Sequence, residues 1–147
     1  MTRGSSVHLA VRSSLDMLEL VQAVSDHVGR MAGLDEEALH WIAVAVRESV
    51  INAIRHGNEN DLRKQVHIEF TPLEEHTGPG IVIRVRDEGG GFDPASLPDC
   101  SAPENLLKSG GRGICLIRSF MDELVLQRAP EGGIEVVMVK RAQHQQA

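Results

Sequence analysis

Glu48-Ser-Val-Ile-Asn52-Ala-Ile-Arg-His56-Gly57-Asn58 is the stretch whose reading decides the fold. It places a carboxylate and a carboxamide one helical turn apart on an otherwise apolar run. At about 100° per residue, Glu48, Asn52, Arg55 and His56 share one arc, while Ala43, Val46, Val50, Ala53 and Ile54 lie opposite. The polar arc then either faces water or presents its acid and amide to one ligand, since residues four apart point the same way. An Asn oxygen suits Mg²⁺, which keeps several waters and shares substrate phosphates. A neighbouring Glu could take a proton from an attacking hydroxyl. Gly57 reads as a left-handed helix terminator and Asn58 as a turn residue.

Two glycine clusters follow. Val85-Arg-Asp87-Glu-Gly89-Gly90-Gly91-Phe92 ends an alternating strand with an acid and three glycines. One reading is a flexible turn after an edge strand. The other is a place where a ligand approaches the backbone closely, because each ordered glycine is costly in backbone entropy. An ionised Asp accepts hydrogen bonds and never donates them. It would bind the exocyclic amino group of adenine and repel the carbonyl of guanine. Ser109-Gly110-Gly111-Arg112-Gly113-Ile114 runs into a further helical pattern, and a helix N-terminus offers free amides to phosphate. Together with the acid–amide helix, these clusters suggest a site for a magnesium-bound nucleotide.

Outward from these motifs, Ser6–Arg12 alternates as a short strand, and Ser13 with Asp16 resembles a capping box. Leu15, Leu18, Val21, Val24 and Val28 trace a first helix that fades at Gly29–Gly33. Asp35-Glu36-Glu37 opens the second, with acids where the helix dipole favours them, and this helix runs through Trp41 to about Arg55. Glu59–Gln65 reads as a loop, Val66–Phe70 and Ile81–Arg86 as strands around a turn at Glu74–Gly80. From Gly89 to Gly113 only a short helical turn near Glu104–Lys108 is suggested, and so long an irregular stretch reads as a functional lid or as disorder. A helix at Ile114–Met121 and strands at Glu123–Gln127 and Ile134–Lys140, joined by the turn Ala129–Gly133, complete the pattern. The expectation is an α+β fold: a two-layer sandwich with a mixed, mostly antiparallel sheet and helices on one face, forming one domain over residues 1–147.

The chain has 147 residues, enough for one domain with a sizeable core. Its core must be aliphatic, since it has one Trp, three Phe and no Tyr. Acids exceed bases by 21 to 15, for a net charge of −6, which argues against a direct nucleic-acid footprint. Cys100 and Cys115 lack metal-type spacing and read as reduced thiols of a cytoplasmic protein. No apolar run reaches membrane-spanning length, and the first ten residues carry no signal region.

On these motifs the chain resembles the Bergerat-fold (GHKL) ATP-binding domains of gyrase, histidine kinases and MutL. It is more closely similar to bacterial anti-sigma-factor serine/threonine kinases of the RsbW/SpoIIAB type. Glu48–Asn58 looks like the family's N-box, Asp87–Gly91 like its first glycine box and Gly110–Gly113 like its second. The run Gly113-Ile-Cys-Leu-Ile-Arg-Ser-Phe-Met121-Asp122-Glu123 is also characteristic of the small branch. The resemblance implies that Glu48 is the general base, Asn52 holds Mg²⁺ and Asp87 reads the adenine of ATP. Gly89 and Gly91 would admit the nucleotide, and Gly110, Gly111 and Gly113 would line its phosphates. Arg112 would touch phosphate or be an exposed lid cation, and His56 would reach the site or be satisfied locally at the helix end.

The implied activity is phosphorylation of a STAS-domain anti-sigma-factor antagonist, with sequestration of a sigma factor when the antagonist is absent, by a homodimer. The alternatives are a partner-switch protein that binds ATP without phosphorylating anything, an isolated histidine-kinase module, and a plain structural domain. A histidine-kinase module is disfavoured because the chain has no room for a phosphoacceptor helix pair.

Overall fold

The computed structural model describes residues 6–73, 78–90 and 113–142. Five strands form one sheet: β1 (Val7–Arg12), β2 (Gln65–Pro72), β3 (Gly80–Arg86), β4 (Glu123–Arg128) and β5 (Ile134–Arg141). Their spatial order is β1-β2-β3-β5-β4, and every neighbouring pair is antiparallel. The expected α+β architecture is thus present, with no parallel pair among the described strands. Among the described residues, three α-helices accompany the sheet: α1 (Leu18–Met31), α2 (Glu36–Asn52) and α3 (Gly113–Phe120).

Register explains why the sheet has one apolar face. Leu9, Ile68, Val85, Val136 and Leu126 lie side by side across all five strands, and Val7, Phe70, Ile83, Met138 and Leu124 form the next row. Side chains alternate between faces along a strand, so the rows between these carry His8, Glu69 and Arg84, then His67, Arg86, Glu135 and Gln127. Phe70, Ile83 and Met138 are fully buried beneath the helices.

α2 is the central helix. Its buried residues Ala38, Leu39, Ile42, Ala45, Val46, Ser49 and Val50 recur at the three- and four-residue spacing of a core-facing stripe. It packs against both α1 and α3, and Trp41 stacks on Phe120 with ring centroids 4.1 Å apart. Asp35 caps it, its carboxylate accepting from the Ala38 amide at 2.9 Å, with Glu36 and Glu37 in the first turn as expected.

Three local expectations change. The cap at the start of the first helical segment is Ser14, whose hydroxyl accepts from the Asp16 amide at 3.3 Å and opens a 3₁₀ turn at Leu15–Met17. Ser13 is instead buried and donates to the Lys64 carbonyl at 2.7 Å, because its partner comes from a distant segment that local spacing does not report. Second, α2 ends in a π-helical turn, Ala53–Gly57, closed by the Asn58 amide on the Ala53 carbonyl five residues back. Gly57 is not left-handed; that conformation belongs to Glu59 (φ 54°) and Asn60 (φ 59°). Third, the buried Cys115 is disulfide-bonded rather than a reduced thiol. Disulfide pairing follows the Cα separation that a fold imposes, which spacing along the chain does not convey.

Candidate functional site

The site forms where the end of α2 meets the end of β3. β3 occupies the middle of the sheet, which removes the reading of Asp87 as the start of a turn after an edge strand. Its neighbours on both sides carry the chain past it, so Asp87 leaves the sheet inside the protein and is 4% exposed. One carboxylate oxygen is fully engaged: Oδ1 accepts from the Gly89 amide at 3.0 Å and from the Ile134 amide at 3.1 Å. The Asp87 amide returns a bond to the Ile134 carbonyl at 3.1 Å. Oδ2 has no partner among the described residues.

Asp87 lines a pocket with Ser49, Asn52, Ala53, Val85, Leu126, Ile134 and Val136, and its Oδ2 lies against Gly57. The lining is chiefly aliphatic, and its polar groups are Asp87, Asn52 and Ser49, whose hydroxyl is turned onto Met138 Sδ at 3.4 Å. The pocket is small, with about 30 Å³ of accessible space. An acceptor-only carboxylate in the lining of an aliphatic slot is suited to a ligand with an amino donor on a flat apolar body. Burial pushes the Asp87 carboxyl upward, while its two backbone amide bonds and the Arg86 charge oppose that rise. An amino donor at Oδ2 would add to those opposing effects.

Two glycines make this placement possible. A methyl group on Gly57 would collide with the Asp87 carboxylate, and one on Gly133 with the Asp87 backbone carbonyl. Gly89 is equally confined, with the Gly57 carbonyl where its Cβ would be. Gly57 therefore serves contact, where the sequence suggested backbone handedness. Gly133, in the β4–β5 turn with φ 88°, was read only as a turn residue.

Glu48 and Asn52 lie on successive turns of α2, both half-buried. Neither side chain has a hydrogen bond to another described residue, which leaves both oxygen sets available. Asn52 shares the pocket with Asp87, as the sequence suggested. Arg55 does not join them: it is exposed and lines a separate groove of about 570 Å³ with Leu15, Leu18, Arg47 and Ile51. The π turn, wider than an α turn, breaks the angular count used to place Arg55 and His56 on the Glu48 arc. Gly113 begins α3, while Gly91, Gly110, Gly111, Arg112 and the Glu104–Lys108 turn lie outside the described residues.

The strongest omission from the sequence reading is Asn58. It is wholly buried, and its amide nitrogen donates to Ser13 Oγ at 2.8 Å and to the Gln65 carbonyl at 3.0 Å. Its oxygen accepts from the Glu88 amide at 2.7 Å. The Glu88 side chain adds a second tie, accepting from the Gln65 amide at 3.0 Å and meeting His67 Nε2 at 2.6 Å. No local pattern distinguishes such an Asn from one in an exposed turn.

Comparison with known proteins identifies the family. The model of the histidine kinase-like ATPase domain family matches residues 11–140. The serine-protein kinase RsbW of Staphylococcus aureus is 29% identical over 147 residues, covering 95% of this chain and 89% of that protein. The same enzyme from the Newman strain matches to the same extent. Among solved structures, the RsbU and RsbW domains of a Mycobacterium tuberculosis protein superpose with a TM-score of 0.66 at 16% identity. That match covers 93% of this chain and 32% of the other, so the present chain spans about a third of that structure's length. With the domain model spanning both the α2 motif and the strand that delivers Asp87, the chain belongs to the histidine kinase-like ATPase domain family and is RsbW-like within it.

Proposed function

We propose that this protein is an ATP-dependent serine/threonine protein kinase that acts as an anti-sigma factor, and that residues 1–147 form one ATPase domain. The observation that carries the reading is the buried Asp87 carboxylate, held at one oxygen by two backbone amides and lining an apolar pocket beside Asn52. Kinship with serine-protein kinase RsbW supports the reaction class.

The donor set fits a magnesium–adenine nucleotide: an acceptor-only oxygen for the exocyclic amine, aliphatic walls for the ring, and a free carboxamide oxygen for a hard cation. When bound, Mg-ATP supplies the transferable phosphoryl group. Asp87 orients the base and rejects guanine. Asn52 would hold the cation, and Gly91, Gly110, Gly111, Arg112 and Gly113 are proposed to admit and line the phosphates. Glu48, one turn from Asn52, is the proposed base that accepts the proton of an incoming serine or threonine hydroxyl. Phosphoryl transfer depends mainly on positioning and charge neutralisation, so one base and a positioned nucleotide suffice.

The acceptor is proposed to be a STAS-domain antagonist, and the alternative partner a sigma factor, with the protein acting as a cytoplasmic homodimer. No described helix is long and apolar enough to cross a membrane. Incubation of the protein with labelled ATP, Mg²⁺ and STAS-domain proteins of the same organism tests the reading. Label should move to a serine or threonine of one of them and fail to move with Glu48→Gln. No transfer to any, with ATP still bound, would leave a partner-binding protein that uses ATP without chemistry.

A further inference from the structure

The binding groove has an acid whose position is set by a residue outside it. Asp87 has no side-chain hydrogen-bond partner among the described residues; its carboxylate accepts there only from backbone amides. The segment that carries it must therefore be located by its backbone. On one side it is located by β3 and the Ile134 contacts. On the other, the Glu88 amide donates to Asn58 Oδ1 at 2.7 Å. Asn58 is in turn immobilised at both amide hydrogens, on Ser13 Oγ and on the Gln65 carbonyl. Ser13 Oγ passes the constraint on to the Lys64 carbonyl. One fully buried carboxamide thus joins three segments: the β1–α1 junction, the start of β2 and the loop that follows Asp87.

We propose that Asn58 is a positioning residue that sets nucleotide selectivity by fixing the Asp87–Gly89 loop against the end of α2. The inference rests on the reading of Asp87 as the adenine contact. The clearance here is small enough for this to matter. Gly89 lies so close to the Gly57 carbonyl that a single carbon would not fit, and the Asp87 carboxylate is in the same relation to Gly57. In a stack this tight, releasing the Glu88 amide lets the loop move away from Gly57 and carries Oδ2 off the position where it meets an amino donor. A displacement of about 1 Å is enough to cost a positioned interaction most of its value. Asn58 itself lines no part of the pocket, so it acts through Glu88 and Asp87 and touches no ligand.

The test is calorimetric titration of wild type, Asn58→Ala and Ser13→Ala with ATP and, separately, GTP, alongside amide hydrogen exchange of Glu88 and Gly89. Asn58→Ala should weaken ATP about tenfold, the value of one charge-assisted hydrogen bond, while GTP changes little, so the preference between the two falls. Exchange at Glu88 and Gly89 should quicken while strand amides of β3 stay protected. A variant that is merely destabilised would lose both nucleotides in equal proportion, and that result would overturn the proposal, as would an unchanged preference. Ser13→Ala keeps the Asn58–Glu88 bond and frees only one anchor, so it should shift the preference the same way by a smaller factor; it carries the test where Asn58→Ala does not fold. If wild type binds ATP no better than GTP, the adenine reading itself fails and the selectivity role of Asn58 falls with it. If wild type is selective and both variants equal it, only the Asn58 proposal falls.

Discussion

Gly57 and Asp87 meet with no space for a methyl group between them. Gly57 ends the helix that carries Glu48 and Asn52, and Asp87 ends the central strand. Their contact brings the candidate catalytic helix and the candidate base-reading acid into one site. The relation is steric, and it predicts that Gly57→Ala displaces the Asp87 loop. Overpacking of this kind costs about 1–3 kcal/mol. Chemical denaturation should show that loss, and ATP titration should show a weakened site in the protein that remains folded.

Asp87→Asn separates stability from function. The Asn oxygen can keep both backbone amides, while its amino group would occupy the place of Oδ2 and face an amino donor with another donor. Burial holds the Asp87 carboxyl above its ordinary value. Between the unfolded and folded values the native state binds more protons, so as pH rises through that window this group lowers stability, and the deficit persists at neutral pH. Removing the charge should therefore leave the ligand-free melting temperature equal or higher at pH 7, while ATP affinity falls by about tenfold or more. A lower melting temperature would mean that the ionised carboxylate stabilises this corner.

Glu48→Gln keeps the size of the side chain and removes its basicity. Phosphotransfer should fall by about 10²–10⁴-fold, the range for a general base, with ATP affinity nearly unchanged. Parallel titration and single-turnover transfer assays separate the two effects. An equal loss of binding and turnover would place Glu48 in nucleotide or cation binding instead.

Glu88 provides a pH dependence of opposite sign. Its hydrogen bond with His67, then that from the Gln65 amide, hold its carboxyl below the ordinary value. The stabilisation is present above the unfolded-state value and disappears as pH falls through the lower folded-state one. Glu88→Gln should flatten that part of the acid-denaturation profile, and the difference between the two proteins should be larger at pH 6 than at pH 3. Because the pair is partly exposed, the difference should be small, on the order of 1 kcal/mol or less.

Much of this was legible in the sequence because it depends on periodicity. The alternation of Val7, Leu9 and Val11 and the three-and-four spacing along α2 report burial directly, and the acid-rich opening at Asp35 reports a cap. Asp87 and Asn52 were recognisable as parts of two separate motifs assigned to one nucleotide site, and they line the same pocket. What escaped depends on contacts between distant segments. The buried role of Asn58 needs Ser13, Gln65 and Glu88 to converge. The steric role of Gly57 and Gly133 needs Asp87 beside them. Ser13 was mistaken for the cap that Ser14 supplies, since both have a suitable hydroxyl and only tertiary structure separates them. The π turn at Ala53–Gly57 carries no periodic signature of its own and moved Arg55 off the expected arc.

The account rests on Asp87 as an adenine-reading acid, and calorimetric titration of wild type and Asp87→Asn with ATP and GTP, each with and without Mg²⁺, tests it most directly. Wild type should bind ATP and not GTP, and Asp87→Asn should lose most of that affinity while remaining folded. Equal affinity for ATP and GTP, or ATP binding undiminished by the substitution, would contradict it.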